Sequence, residues 1–180
     1  YGKGYFAPTP FVEDIEAAGL SRLAPLQRIK EERATTASID FSYSFGNIES
    51  GLTLFSSNVD GVTQLQPFSS IEGGSYDRVR LVNSDKETRI NGSEVLLRYK
   101  WKDFKLTGSY LFLDSSQQSP FETSPSEINL TPKHSAGLVA MLEEHGNYRL
   151  GFEAYYTGKQ KLDDNPYRDE SKPYWHLGLL

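Results

Sequence analysis

The sequence contains no cysteine. That excludes disulfide frameworks, zinc–thiolate sites and thiol nucleophiles. It holds no run of about 18 apolar residues, so no transmembrane helix is expected. It opens at Tyr1 without a basic-then-apolar leader. No cluster of lysine and arginine stands out and the net charge is −5, so nucleic acid is not an expected partner. His134, His145 and His176 have no second ligand at usable spacing, and no metal site is expected. Neither a Ser/His/Asp grouping nor a phosphate loop is present, so an enzyme is not expected. No cofactor is called for. Apolar residues make up 37% of the chain, below the share usual in soluble domains.

Aromatics, in contrast, reach 13%, with 11 tyrosines and 10 phenylalanines. Disordered chains are poor in such residues. Few aliphatics with many aromatics suits a membrane β-barrel, where only every second residue meets lipid and aromatics gather at both interfaces.

Period-2 alternation carries the main signal. In Ala37–Phe45 the odd positions, among them Ile39, Phe41 and Tyr43, are apolar, while Asp40, Ser42 and the other even positions are polar. A helix would mix the two sets. Gly46-Asn47 suits a type II′ hairpin turn. It would pair Phe45 with Ile48, Tyr43 with Ser50, Phe41 with Leu52 and Ile39 with Leu54. A slip of one residue would split the apolar set between faces. A second hairpin turns at Lys102-Asp103. Val95, Leu97, Tyr99 and Trp101 alternate with Glu94, Leu96, Arg98 and Lys100. Phe104, Leu106, Tyr110 and Phe112 alternate with Lys105, Thr107 and Ser109. This register sets Lys100 against Lys105, two like charges. The third hairpin turns at His145-Gly146-Asn147. It would pair Leu142 with Leu150, Ala140 with Phe152, Leu138 with Ala154 and Ala136 with Tyr156, with Arg149, Glu153 and Thr157 on the other face. A last strand starts near Tyr174.

The three turns are short. The connections Ala7–Lys30, Ser57–Arg89, Asp114–Thr131 and Gln160–Lys172 are long and polar. Short and long loops alternate strictly, as do the periplasmic turns and extracellular loops of outer-membrane barrels. Phe45, Trp101, Phe104 and Tyr148 flank the short turns, where an interfacial aromatic belt would lie. The expected fold is therefore all-β, an antiparallel transmembrane β-barrel segment. Lipid-facing residues would be Ile39, Phe41, Tyr43, Val95, Leu97, Tyr99, Leu106, Tyr110, Leu150 and Phe152. Lumen-facing residues would be Asp40, Ser42, Glu94, Arg98, Lys100, Lys105, Arg149 and Glu153, hydrating the interior and pairing across strands. Inside the first long loop, Thr9–Leu20 reads as a short amphipathic helix, with Thr9 as N-cap and Pro10 in the first turn. Asp163, Asp164, Asn165, Asp169 and Glu170 could hold calcium or be plain solvated loop. Aromatics in the long loops are candidates for ligand contact or for loop packing: Phe6, Phe11, Phe68, Tyr76, Phe121, Tyr167 and Tyr174.

A series of short motifs resembles the barrel domain of TonB-dependent receptors. Tyr5-Phe6-Ala7-Pro8-Thr9 followed by Glu13 resembles that family's strand-to-loop exit. Glu32-Arg33 resembles the pair that opens the next strand, with Glu31 where proline is usual. Leu54-Phe55 with Val59-Asp60 resembles a strand leading to an acidic loop start. Gly92-Ser93-Glu94 resembles the start of a strand after a long loop. Pro132-Lys133-His134 resembles the segment before a descending strand, and Tyr155-Tyr156-Thr157-Gly158 a strand top. The motifs run in the family's order along the whole chain.

The resemblance implies that residues 1–180 are part of a barrel of about 22 strands, supplying about seven of them. The sequence has no plug domain, no energy-coupling box and no terminal strand ending in an aromatic residue. Its opening without a leader and its stop within an alternating run make it an expected part of a longer protein. The implied function is TonB-coupled uptake of a nutrient across the outer membrane of a Gram-negative bacterium. An iron–siderophore complex leads, with cobalamin, a saccharide or another metal chelate open. Implied partners are outer-membrane lipid, the protein's own plug domain outside this chain, the TonB energy-coupling complex acting on the full-length protein, and the ligand. Two other readings stay open at this point: a small complete barrel with a structural or adhesive role, and a soluble β-sheet binding module.

Overall fold

The structure, a computed structural model, describes residues 1–6, 24, 28–69, 78–118, 124–144, 146–162 and 165–180, with only the backbone of Pro67 and Phe68. The described residues form ten strands: β1 (Gly2–Phe6), β2 (Glu32–Phe45), β3 (Ile48–Asp60), β4 (Thr63–Phe68), β5 (Arg78–Asn83), β6 (Thr88–Trp101), β7 (Phe104–Ser116), β8 (His134–Glu144), β9 (Tyr148–Thr157) and β10 (Tyr174–Leu179). Eight form one sheet in the order β1-β2-β3-β6-β7-β8-β9-β10, and β4-β5 form a separate two-stranded sheet. The order is open, with β1 and β10 at its ends. Among the described residues the main sheet thus has eight strands, close to the seven or so expected.

Each short turn falls where the alternation places it. Gly46 takes φ 55° and Asn47 does not turn positive, as a type II′ turn requires. Lys102 takes φ 49°, a left-handed conformation uncommon for a side chain of its size. Gly146 takes φ 87°. His145 lies outside the described residues.

The chain divides into two units. One comprises residues 37–56, 90–115 and 127–180. Its registers bear out the third hairpin: Ala136↔Tyr156, Leu138↔Ala154, Ala140↔Phe152 and Leu142↔Leu150 are paired. β7 and β8 pair Leu106↔Ala140 and Tyr110↔Ala136. β9 and β10 pair Ala154↔Leu177 and Tyr156↔Trp175. Directly opposed residues share a face, so one apolar face runs continuously over these strands. In β2 and β3, Ser50 Oγ donates to Tyr43 O at 3.3 Å and Thr53 Oγ1 donates to Asp40 at 2.6 Å, as the expected register requires.

This unit has almost no interior. Among its described residues only Ala154 is a buried apolar side chain, while Phe41, Tyr43, Leu97 and Leu150 are largely exposed. A sheet that presents large apolar side chains on one face, with no layer packed against them, needs a different neighbour from water.

The other unit comprises residues 1–36, 57–89 and 116–126. Here the structure corrects the expected second long loop, Ser57–Arg89. β3 continues to Asp60, β6 already begins at Thr88, and β4 and β5 form a hairpin between them. Strand ladders satisfy backbone groups whatever the side-chain pattern, so they outrun the apolar run. For the same reason Gly92-Ser93-Glu94 lies inside β6 and does not open it, and β7 runs on to Ser116. The sequence does alternate at Arg78, Val79, Arg80 and Leu81, and that was the signal for β5. The expected helix Thr9–Leu20 lies outside the described residues.

Candidate functional site

The polar residues of the larger unit fall where a two-faced sheet would put them. Pairing sets Lys105 opposite Met141 and Arg149 opposite Glu143, away from the apolar set. Glu49 pairs with Arg98 at 3.7 Å and Lys105 with Glu143 at 3.1 Å. The second pair settles the like-charge conflict with Lys100, because Lys105 reaches across to β8. Arg149 Nε donates to Met141 Sδ at 3.2 Å. Glu153 accepts from Tyr155 Oη at 3.2 Å and lies over Gly178. These exposed pairs contribute no more than about 1 kcal/mol each. They describe a surface of paired charges. Among the described residues no group of histidine and carboxylate side chains could hold a metal.

Glycines shape this face. A Cβ on Gly92 would lie 2.3 Å from Phe55 Cζ and 2.8 Å from Phe112 O, and one on Gly137 would lie 3.3 Å from a Tyr155 ring carbon. Two aromatic rings thus lie over neighbouring strands where no side chain stands in their way. The alternation pattern did not reveal this, though each aromatic–glycine pairing follows once the registers are known.

At the strand ends of this unit, Lys133 bonds Glu127 at 2.6 Å with Asp114 at 4.0 Å. The hydrogen bond to Glu127, then its charge, raises the lysine's pKa. Ser115 Oγ accepts from Ile128 N at 3.2 Å and holds the returning segment against β7. Further along, Lys159 pairs with Glu170 at 3.3 Å. Asn165 Oδ1 accepts from Tyr167 N at 2.9 Å. Asp163 and Asp164, on which a calcium site would depend, lie outside the described residues.

In the smaller unit one side chain organises the outer hairpin. Asn83 Oδ1 accepts from Lys30 N at 2.8 Å, and Asn83 Nδ2 donates to Lys30 O at 3.0 Å and to Gly61 O at 2.7 Å. Glu32 accepts from Thr63 N at 2.8 Å, and Ala24 N donates to Val79 O at 2.7 Å. The entry to β2, the β3–β4 junction and the end of β5 are thereby tied together. Beside them Arg33 donates to Glu31, and this hydrogen bond, more than the charge, lowers the Glu31 pKa. Sequence reading missed Asn83, because an asparagine beside a serine looks like an ordinary loop.

The loop aromatics divide differently from expectation. Phe6 ends β1, Phe68 ends β4 and Tyr174 begins β10, so all three belong to strands. Pairing of Phe6 with Glu32 and of Tyr174 with Thr157 extends the ladder past the apolar run. Tyr167 remains in a turn and is 90% exposed. Phe11, Tyr76 and Phe121 lie outside the described residues. Tyr167 and Tyr174 share no ring contact, so no shared aromatic site is assembled from them among the described residues.

With this geometry the chain resembles solved receptor structures. The FrpB iron transporter from Neisseria meningitidis matches with a TM-score of 0.61 at 13% identity, over 85% of this chain and 24% of that one. The copper transporter OprC matches with a TM-score of 0.66 at 15% identity, over 98% and 27%. A mutant of the ferric enterobactin receptor PfeA from Pseudomonas aeruginosa matches with a TM-score of 0.65 at 18% identity, over 84% and 23%. The chain thus spans about a quarter of the structures it matches. No curated protein matches its sequence. The family model for the TonB dependent receptor-like β-barrel matches residues 1–179. The chain therefore belongs to the TonB-dependent receptor β-barrel family, as a stretch of barrel wall from the outer membrane of a Gram-negative bacterium.

Proposed function

We propose that the protein containing this chain takes up a scarce metal chelate, an iron–siderophore complex in the first instance, through TonB-coupled transport. One observation carries the reading: a wall of the receptor family whose sheet is apolar on one side and charged on the other. The family consists of transporters and not enzymes, and its match sets aside the small structural barrel and the soluble module. In this reading the exposed apolar face, with Ile39, Phe41, Tyr43, Leu97 and Leu150, meets hydrocarbon. Asp40, Arg98, Lys105, Arg149 and Glu153 meet water and the plug domain in the lumen. The outer segments, with Tyr167 foremost, meet the ligand.

Iron is favoured because FrpB, PfeA and the ferric-catecholate receptor Fiu of E. coli are similar in fold. Copper is the second reading, because OprC covers 98% of the chain. Uptake of radioactive iron as ferric siderophore is to be compared in cells with and without the intact gene. TonB-dependent loss of iron uptake on deletion supports the proposal. Unchanged iron uptake with lost copper uptake moves the cargo to copper, and loss of neither overturns uptake of both metals.

A further inference from the structure

The apolar face of the larger unit turns polar at its end away from the short turns. Away from the short turns, β3 carries Ile48, Ser50, Leu52 and Leu54 on this face and then Ser56. β6 carries Trp101, Tyr99, Leu97 and Val95 and then Ser93 and Asn91. The two polar ends meet, because Ser56 Oγ donates to Asn91 Oδ1 at 2.8 Å. Here the surface is a groove of about 460 Å³. Its floor is Leu54, Ser56, Asn91 and Ser93. Ile39 on β2 and Phe112 on β7 rise at its sides. The floor is low because β3 and β6 bear small side chains there, between taller ones on the flanking strands.

Asn91 Nδ2 and Ser93 Oγ make no hydrogen bond to the described residues. A donor without a partner is costly at the edge of hydrocarbon. The groove therefore offers an apolar trough that ends in two unsatisfied donors, and it lies in the half of the face remote from the short turns. We infer that this groove holds one acyl chain of an outer-leaflet lipid, whose ester, amide or hydroxyl oxygen accepts from Asn91 and Ser93. The chain would lie along Ile39, Leu54 and Phe112. A folded segment is too large for the volume, and water gains little against apolar walls. Continuity with the exposed apolar strip from Ile39 to Tyr43 supplies the occupant, because lipid already covers that strip.

This inference rests on the apolar face meeting lipid. The intact receptor is purified from outer membranes in mild detergent, as wild type and as Ser93→Phe and Asn91→Leu, and retained lipid is counted by native mass spectrometry. The wild type should keep about one lipid per receptor after delipidation. Each variant should keep roughly tenfold less, with unchanged heat-dependent gel mobility to show an intact barrel. A wild type that retains no lipid overturns the inference without recourse to either variant. Equal retention by wild type and folded variants overturns it as well. A nitroxide at Phe41 separates the two levels of failure. A label in water sinks the face assignment itself, while a label in hydrocarbon with no retained lipid sinks the groove proposal alone.

Discussion

Gly92 and Lys102 stand at positions where backbone geometry restricts the side chain in opposite directions. At Gly92 any Cβ collides with Phe55, whose ring can turn aside, and with Phe112 O, which cannot. Overpacking of this sort costs about 1–3 kcal/mol. Gly92→Ala should therefore lower the urea midpoint of the folded barrel, and truncating Phe55 should not restore it. At Lys102 the φ of 49° strains a side-chain-bearing residue by about 1 kcal/mol. The lysine also stands 5.2 Å over the Trp101 ring, an exposed contact worth about 0.5 kcal/mol. Strain outweighs the contact, so Lys102→Gly should stabilise by about 0.5 kcal/mol, read from the same unfolding curve. At the entry to β2 the lowered Glu31 pKa adds stability that is present above the usual carboxylate range and lost as pH falls through it. Acid should loosen backbone protection at Lys30–Arg33 in hydrogen exchange, and Glu31→Gln should remove that dependence on pH.

Among elements, the β4–β5 hairpin hangs on few bonds. The Asn83 side chain joins Lys30 and Gly61 to the end of β5, beside the backbone bond from Ser84 N to Val62 O. Removing its side chain costs roughly 2 kcal/mol of local closure, so the hairpin opens about thirtyfold more often. Asn83→Ala should speed tryptic cleavage at Arg78 on intact cells by about that factor, with the amount of assembled receptor unchanged. Equal cleavage rates would show that the clamp does not hold the hairpin. The main hairpins behave differently, because their register is fixed twice, by the turn and by the apolar face. Any slip would expose Leu138, Ala140 and Leu142 to the wrong solvent.

For the whole molecule, the two faces set what substitution each will accept. Leu97 is 46% exposed on the apolar face, and an arginine there costs about 2–4 kcal/mol near the bilayer midplane. Leu97→Arg should reduce the receptor assembled in outer membranes. Arg98→Leu, on the opposite face, should leave assembly intact and lose only the exposed pair with Glu49. Equal assembly of both variants would remove the physical basis of the membrane assignment.

The strands beside the short turns, and the turns themselves, were legible in the order of residues, because a period of two and a turn of fixed length are local properties. Gly46-Asn47 and the pairing of Leu142 with Leu150 needed no knowledge of distant residues. The clamp at Asn83, the rings of Phe55 and Tyr155 over glycines, the partner of Lys105 and the groove beside Asn91 were decided only when non-adjacent strands came together. β3 meets β6 across an intervening hairpin, and no local pattern states which residues such a meeting will oppose.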